Sequence, residues 1–351
     1  GSQGQFTPVY DRQRDIYLAV LNTLKQASQE LSPDGGLITG DLVYEGDILK
    51  WKKLINSFSL RILISLSHKT GDSELKVIER FREIVENPDK YPVMESNADN
   101  AALSFYDLEG NRYPYYNDNS IQTNYYLEQS FVERLQNRQD PRLFIFGIPK
   151  PNADDLQDDD YDAYGGLRAS ASLDVNQQRA VNGEASRIHP RYYDNPINEP
   201  SIALGYAEVQ FILAEAAVRG WISQSPDQFY LNGIRASMSF YEIEEEAINI
   251  YLNSFEVQLN GSNVLEQILT EKHTAFFMNS GWEPFFNQLR TGLPKYDTSG
   301  EGMLNNGKIP KRWMYPEQEF QYNQEHVDEA VKRQYPNGDT INGVMWLLKD
   351  E

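Results

Sequence analysis

Residues 41–69 read DLVYEGDILKWKKLINSFSLRILISLSHK. Gly46 interrupts whatever precedes it, and Asp47 is a favoured N-cap because its carboxylate accepts an orphan backbone N–H. Apolar residues then recur at Ile48, Trp51, Ile55, Phe58, Ile62 and Leu66. At about 100° per residue these six positions fall within an arc of roughly 80°, which predicts a buried helical stripe. Lys50, Lys52 and Lys53 lie off that stripe. Asn56 and Arg61 share the helix with apolar neighbours, so each is expected to find a hydrogen-bond partner. The stretch reads as scaffold.

Outward from this helix the same periodicity recurs. Residues 11–31 place Ile16, Val20, Leu24, Ala27 and Leu31 on one face, and Ser32-Pro-Asp-Gly-Gly36 ends the run. A helix over 73–86 is expected from a Ser73 cap, the spacing of Val77, Phe81 and Val85, and the Asn87-Pro88 stop. Residues 95–200 are rich in Pro, Gly, Asn and Tyr, with helix periodicity only near 126–136. A loop-rich excursion of that length inside a compact protein is more often functional than idle. Helical patterning returns at Tyr206–Trp221, after the Ser225-Pro226 cap, and at Val264–Phe277.

Composition narrows the function classes. The chain has 351 residues, 52 acidic and 32 basic, for a net charge of −20. That field repels phosphate backbones, so nucleic acid is not an expected partner. No apolar run approaches the length that spans a bilayer. There is no cysteine, hence no disulfide or thiolate metal site. Gly1-Ser2 reads as the remnant of a cleaved tag rather than a natural start. His68, His189, His273 and His326 are scattered, and no zinc pair, nucleophile elbow, phosphate loop or dinucleotide fingerprint occurs. An enzyme is therefore not expected. Glu208 and Glu215 share a helical side, but in so acidic a chain such spacing is common, and both read as structural.

Several motifs, in order, carry a family resemblance. They are the aspartate–aromatic–Gly-Asp entry with its Lys-Trp, Asn56 and Arg61; Asp140-Pro-Arg-Leu143 with Tyr164-Gly-Gly166; and Tyr206-Ala-Glu…Ala-Glu-Ala…Gly-Trp221. Beyond them stand Gly281-Trp-Glu-Pro, Arg290-Thr-Gly-Leu-Pro294 and the closure Ile309-Pro-Lys-Arg312…Tyr315-Pro316…Glu319…Asn323. Together they resemble the SusD/RagB family across almost the whole sequence. That resemblance implies a mostly α-helical SusD-like fold, with tetratricopeptide-like helix pairs supporting a loop-rich ligand region. One domain over 1–351 is expected: helical pairs at 11–94, the ligand region at 95–200, helical pairs at 201–280 and a closing segment at 281–351. It further implies a non-catalytic lipoprotein of the outer-membrane cell surface, held by a lipid anchor outside this sequence. Such a protein binds glycan and passes it to a TonB-dependent SusC-like transporter. Family members are longer, so the first helical pairs are expected to be missing at the N-terminus.

The expected ligand site lies in Arg112-Tyr-Pro-Tyr-Tyr-Asn-Asp118 and just beyond. Sugar rings present C–H faces that stack on aromatics, while Asn, Asp and Arg bind hydroxyls, and Pro114 lowers the ordering cost. The candidates are Tyr113, Tyr115, Tyr116, Asn117, Tyr125 and Tyr164, with Tyr161 extending the surface. The competing reading makes these tyrosines a cover for the core. A Ca²⁺ candidate, Asp158, Asp159 and Asp160, sits in the acidic run 154–162, although its spacing does not fit an EF-hand and a solvated loop explains it as well. No cofactor is expected. Two rival functions remain at this level: capture of peptide or another non-sugar nutrient by the same fold, and a structural helical-repeat adaptor.

Overall fold

A computed structural model of the chain describes residues 4, 6–32 and 35–350. Gly1-Ser2, and Pro33-Asp34 of the expected turn, lie outside the described residues. The helices, in order, begin with α1 (Gln13–Glu30), α2 (Ile48–Ser65) and α3 (Val77–Val85). Within the loop-rich region come α4 (Asn119–Thr123), α5 (Gln129–Arg138), α6 (Leu143–Phe146), α7 (Leu173–Val181) and α8 (Arg191–Asp194). Then follow α9 (Tyr206–Val218), α10 (Pro226–Phe240), α11 (Glu245–Leu252), α12 (Val264–Ala275), α13 (Glu283–Thr291), α14 (Glu317–Tyr322) and α15 (Gln324–Gln334). The fold is mostly helical, as expected.

The entry to α2 is organised by one carboxylate. Asp41 accepts hydrogen bonds from the backbone N–H groups of Val43, Tyr44 and Gly46 and from Trp51 Nε1, at 2.8–3.2 Å. Burial pushes its pKa up, but these donors outweigh that and hold it below the usual range. Gly46 sits at φ +90°, where a Cβ would lie 2.7 Å from the Ile38 carbonyl oxygen, so a larger residue cannot make this turn. Asp47 then accepts from Lys50 N at 3.0 Å and starts the helix. Asn56 donates to the Pro92 carbonyl, and Arg61 donates to Glu208 and to the Ala203 carbonyl, so both polar residues are partnered.

Burial departs from the expected stripe. Trp51, Ile55 and Phe58 are only half-buried, whereas Leu60, Leu63, Ile64, Asn56 and Ser57 are buried. The reason is tertiary: α1, α3 and α9 all pack on α2, which buries faces beyond the predicted stripe. In α1 the inward residues are Tyr17, Leu18, Leu21 and Leu24, and Ile16 is exposed. Helix α3 begins at Val77, not Ser73. Asp72, clamped by Arg14, accepts the N–H groups of Glu74 and Leu75 and holds that segment in a turn.

Helix α9 is the second axis of the scaffold, packed on α10 and α12. Its close approach to α10 occurs at Gly233, where a Cβ would lie 2.8 Å from the Phe211 ring. Ser225 caps α10 with Pro226 at its first position, as the sequence predicts. The buried acids of α9 are structural: Glu208 pairs with Arg61, and Glu215 pairs with Arg290 and Arg219. Two short antiparallel strands, β1 (Ala101–Leu103) and β2 (Ser201–Leu204), pair Ala101 with Leu204. Since they lie at opposite ends of the loop-rich region, this pairing closes that region into an excursion with both ends at one place.

The excursion has its own core. Tyr113, Phe131, Phe146, Tyr164, Tyr192 and Tyr241 are all buried in one cluster, with Phe277 packed against it. Phe277 stacks on Phe146 and Phe131 at centroid distances of 4.1 and 5.6 Å. Below it runs a buried ion network: Arg142 is paired with Asp140 and Glu271, and Arg138 and Tyr251 also donate to Glu271. The Asp-Pro-Arg-Leu motif thus anchors the excursion to α12.

Candidate functional site

The tyrosine segment 112–118 is rigidly seated. Tyr113 N–H donates to the Pro196 carbonyl at 2.7 Å, and Asn117 N–H to the Tyr193 carbonyl at 2.8 Å. Arg112 pairs with Asp107 at 2.7 Å and lies over the Tyr116 ring at 5.2 Å. Asn117 takes a left-handed conformation, φ 58°, which turns the chain into the Asp118 cap of α4. The effect is to bury one tyrosine and lift its neighbour. Tyr113 is in the core, and Tyr115 stands at its edge, 37% exposed, with ring centroids 5.7 Å apart.

Tyr115 forms one wall of a shallow depression of about 300 Å³. Ser201, Ile202, Phe276, Met278, Asn279, Ser280 and Gly281 form the rest. Met278, Ser280 and Gly281 all have positive φ, so the α12–α13 connection is a tight, bent strip of backbone at the floor. Asn279 is buried: its side-chain oxygen accepts from Ile202 N at 2.9 Å and its amide donates to Glu199 at 3.1 Å. Burial raises the Glu199 pKa to about 7, against the opposing pull of Arg191 and Asn279. No acidic side chain lines the depression. The arrangement offers an aromatic face, hydroxyls and an apolar floor, which is binding chemistry and carries no catalytic pair.

The other expected site residues distribute differently. Tyr116 is half-buried under Arg112, and Asn117 is exposed on the same loop. Tyr125 is 55% exposed but does not line the depression. Tyr113 and Tyr164 correct the expectation of exposed rings, since both are buried in the core cluster, Tyr164 only edging a separate hollow beside Gln129 and Lys150. Tyr164 donates its hydroxyl to the Asp158 carbonyl at 2.8 Å, and burial raises its pKa to about 12. Tyr161 packs on Phe144 at 4.6 Å and donates to the Gln139 carbonyl. The Ca²⁺ candidate is also corrected. Among the described residues no group of three or more His, Asp or Glu is placed to hold a metal ion. Asp158 and Asp159 are exposed, and the Asp160 carboxylate instead caps a short turn at Asp162 N.

Sequence reasoning missed the aromatic platform beside the depression. Trp282, next to Gly281, is 61% exposed and meets Trp313, 56% exposed, edge to face at 5.0 Å. Phe285 and Phe286 complete the patch. It borders a cleft of about 580 Å³ between α2, α13 and the 311–316 segment, whose walls include Tyr17, Phe58, Phe286 and Tyr315. The available signal was the pair Gly281-Trp-Glu-Pro and Lys311-Arg-Trp-Met, two exposed-type tryptophans in polar, Pro-bearing segments.

A family model described as "Starch-binding associating with outer membrane" matches residues 1–316. A crystal structure of a protein from Bacteroides vulgatus, described as probably involved in nutrient binding, superposes with a TM-score of 0.93 at 33% identity. The match covers 99% of this chain and 78% of that one. A SusD homologue from Bacteroides fragilis gives 0.90 at 37% identity, with the same two coverages. A chitin-binding protein gives 0.81 at 29% identity, covering 98% of this chain and 74% of that one. No curated protein matches the chain. Among the described residues no helix is long and apolar enough to cross a membrane. The chain belongs to the SusD-like family of nutrient- and glycan-binding proteins associated with the outer membrane, and by that identity it is a non-catalytic binding protein.

Proposed function

We propose that this chain captures a glycan on the cell surface at the Tyr115 depression and hands it to a TonB-dependent SusC-like transporter, with a lipid anchor outside this sequence holding it to the outer membrane. The observation that carries the reading is the pairing of Tyr113 and Tyr115. Two residues apart, one ring is fixed in the core and the other is lifted to the surface over a depression lined by serine, asparagine and backbone. A stacked sugar needs a flat, immobile aromatic face with hydrogen-bonding groups at its margin, and an edge-fixed tyrosine supplies it at low ordering cost. Tyr116, Asn117 and Tyr125 would extend contact along a longer chain. The lining lacks carboxylates, so it favours a neutral sugar over the basic peptide that a net charge of −20 would otherwise attract. Shallow, wet sites desolvate little area, and affinity for a single segment is expected to be weak.

The test is affinity electrophoresis through gels containing plant, fungal or host polysaccharides, with wild type and Tyr115→Ala. Retardation by a glycan that disappears in the variant supports the reading. Retardation kept in Tyr115→Ala moves the site elsewhere on the surface.

A further inference from the structure

A third concave site borders α13, and its chemistry is opposite to that of the whole chain. It has a volume of about 450 Å³ and is lined by Lys295, Lys308 and Lys311 together with Gln288, Tyr296 and Thr298. No acidic side chain lines it. Among the described residues none of the three ammonium groups has a carboxylate within ion-pairing distance. Two of the acids nearby in sequence are committed elsewhere, while Glu301 is exposed and does not line the hollow. Asp297 is held by Arg168, Ser170 and Ser299, and Asp339 by Arg312 and Tyr315 N. In a protein with 20 more negative than positive charges, three uncompensated lysines around one hollow form a local positive field.

A separate observation points into the same hollow. Gln288 lines it from α13 and is only 7% exposed, yet its buried side-chain oxygen has no hydrogen-bond partner. Its neighbours on the same helix are satisfied: Asn287 is bonded to Arg290, and Thr291 to the Asn287 carbonyl. A buried amide left unpaired is costly, and a polar group bound in the hollow can relieve that cost once the side chain turns toward it. With the amide turned in either sense, it offers a ligand one acceptor or two donors.

We propose that this hollow binds an anionic saccharide, the lysines meeting a carboxylate or sulfate and the Gln288 amide a ring hydroxyl. Charge-assisted N–H···O⁻ contacts supply the attraction, Thr298 adds a hydroxyl, and the Tyr296 ring, whose hydroxyl meets His273, forms part of the wall. Ile309 and Val344 close the apolar side. Lys311 also lines the large aromatic cleft, so the two concave surfaces share a wall. The site rests on its own residues and shares none with the Tyr115 depression.

The experiment is affinity electrophoresis and titration calorimetry with polygalacturonate and with chondroitin sulfate, on wild type, Lys295→Ala/Lys308→Ala, Gln288→Met and a charge control, Lys90→Ala/Lys332→Ala. The account expects one of the two polymers to bind, to bind less as salt rises, and to weaken at least about tenfold in the pocket double variant but not in the control. Gln288→Met is expected to weaken binding while keeping the wild-type melting temperature. Binding of polygalacturonate alone assigns a carboxylate, and of chondroitin sulfate alone a sulfate. The proposal is overturned if neither polymer binds, or if the control double variant loses as much affinity as the pocket variant.

Discussion

Two buried glutamates in two regions of the molecule illustrate how differently those regions are built. Glu215 lies in the helical scaffold, fully buried, between Arg290 and Arg219. Burial pushes its pKa up, but the charges and hydrogen bonds of Arg290, with Arg219 and Lys272, overcome this and hold it down at about 2. Glu199 lies beneath the ligand loops, also buried, but with only Arg191 at 3.2 Å and one amide from Asn279. One of its oxygens has no hydrogen-bond partner, and its pKa rises to about 7. Two cations and their hydrogen bonds complete the site of Glu215, whereas the site of Glu199 is left partly open. The same contrast holds for aromatics. The scaffold fills its core with aliphatics along α2 and α9, while the excursion fills its core with tyrosine and phenylalanine and leaves the surplus rings at the rim.

The largest effect that sharpens this comparison is expected at the ion network joining the two regions. Arg142→Met leaves Asp140 and Glu271 without their shared partner in a fully buried site, and should cost about 3–5 kcal/mol in urea unfolding. A cost below about 1 kcal/mol would mean that the excursion does not depend on this anchor. Next comes the core tyrosine: Tyr113→Ala should cost roughly 3 kcal/mol by opening a cavity among Phe105, Tyr115 and Tyr192. Tyr115→Ala, two residues away on the rim, should change stability by less than about 1 kcal/mol. Equal costs for the two would erase the distinction between core and rim on which the site rests.

The pH dependence separates the two glutamates by sign. Glu199 is raised in the folded state, so the native protein holds its proton longer than the unfolded chain does. Its contribution to stability is therefore present in full below the ordinary carboxyl range and is lost as pH rises toward about 7. Glu215 is depressed, so its contribution is present above the ordinary range and is lost as pH falls toward about 2. Melting temperatures from pH 4 to 8 should thus show Glu199→Gln gaining on wild type as pH rises. A constant difference between variant and wild type across that range would contradict the assignment.

Much of the scaffold was legible in the sequence because its determinants are local. The Asp47 cap, the Ser225-Pro226 entry, the partners of Asn56 and Arg61 and the structural character of Glu208 and Glu215 follow from residue type and spacing. What failed were readings that tertiary packing decides. Ile16 has the right period but faces water because α1 is turned so that Tyr17, Leu18 and Leu21 meet α2. Ser73 is a good cap residue, but Asp72 is held by Arg14 from another helix and sets a later start. In the candidate site, the sequence singles out the loop 112–118, but not which of its rings face solvent. That depends on the carbonyls of Pro196 and Tyr193, far along the chain, which hold Tyr113 and Asn117 respectively. Tyr164 looked like Tyr115 in sequence, but its hydroxyl is held by the Asp158 carbonyl and its ring packs against Phe144. Gln288 gave no signal at all, since an unsatisfied amide exists only once its surroundings are placed.

The most direct test of the central claim, that the exposed tyrosine rim binds sugar, is the retardation of wild type and Tyr115→Ala in gels of neutral polysaccharides, with melting curves of both proteins. The account predicts that a glycan slows the wild type, that the variant migrates as if the gel held no glycan, and that both melt together. Retardation of the variant equal to that of wild type would contradict it.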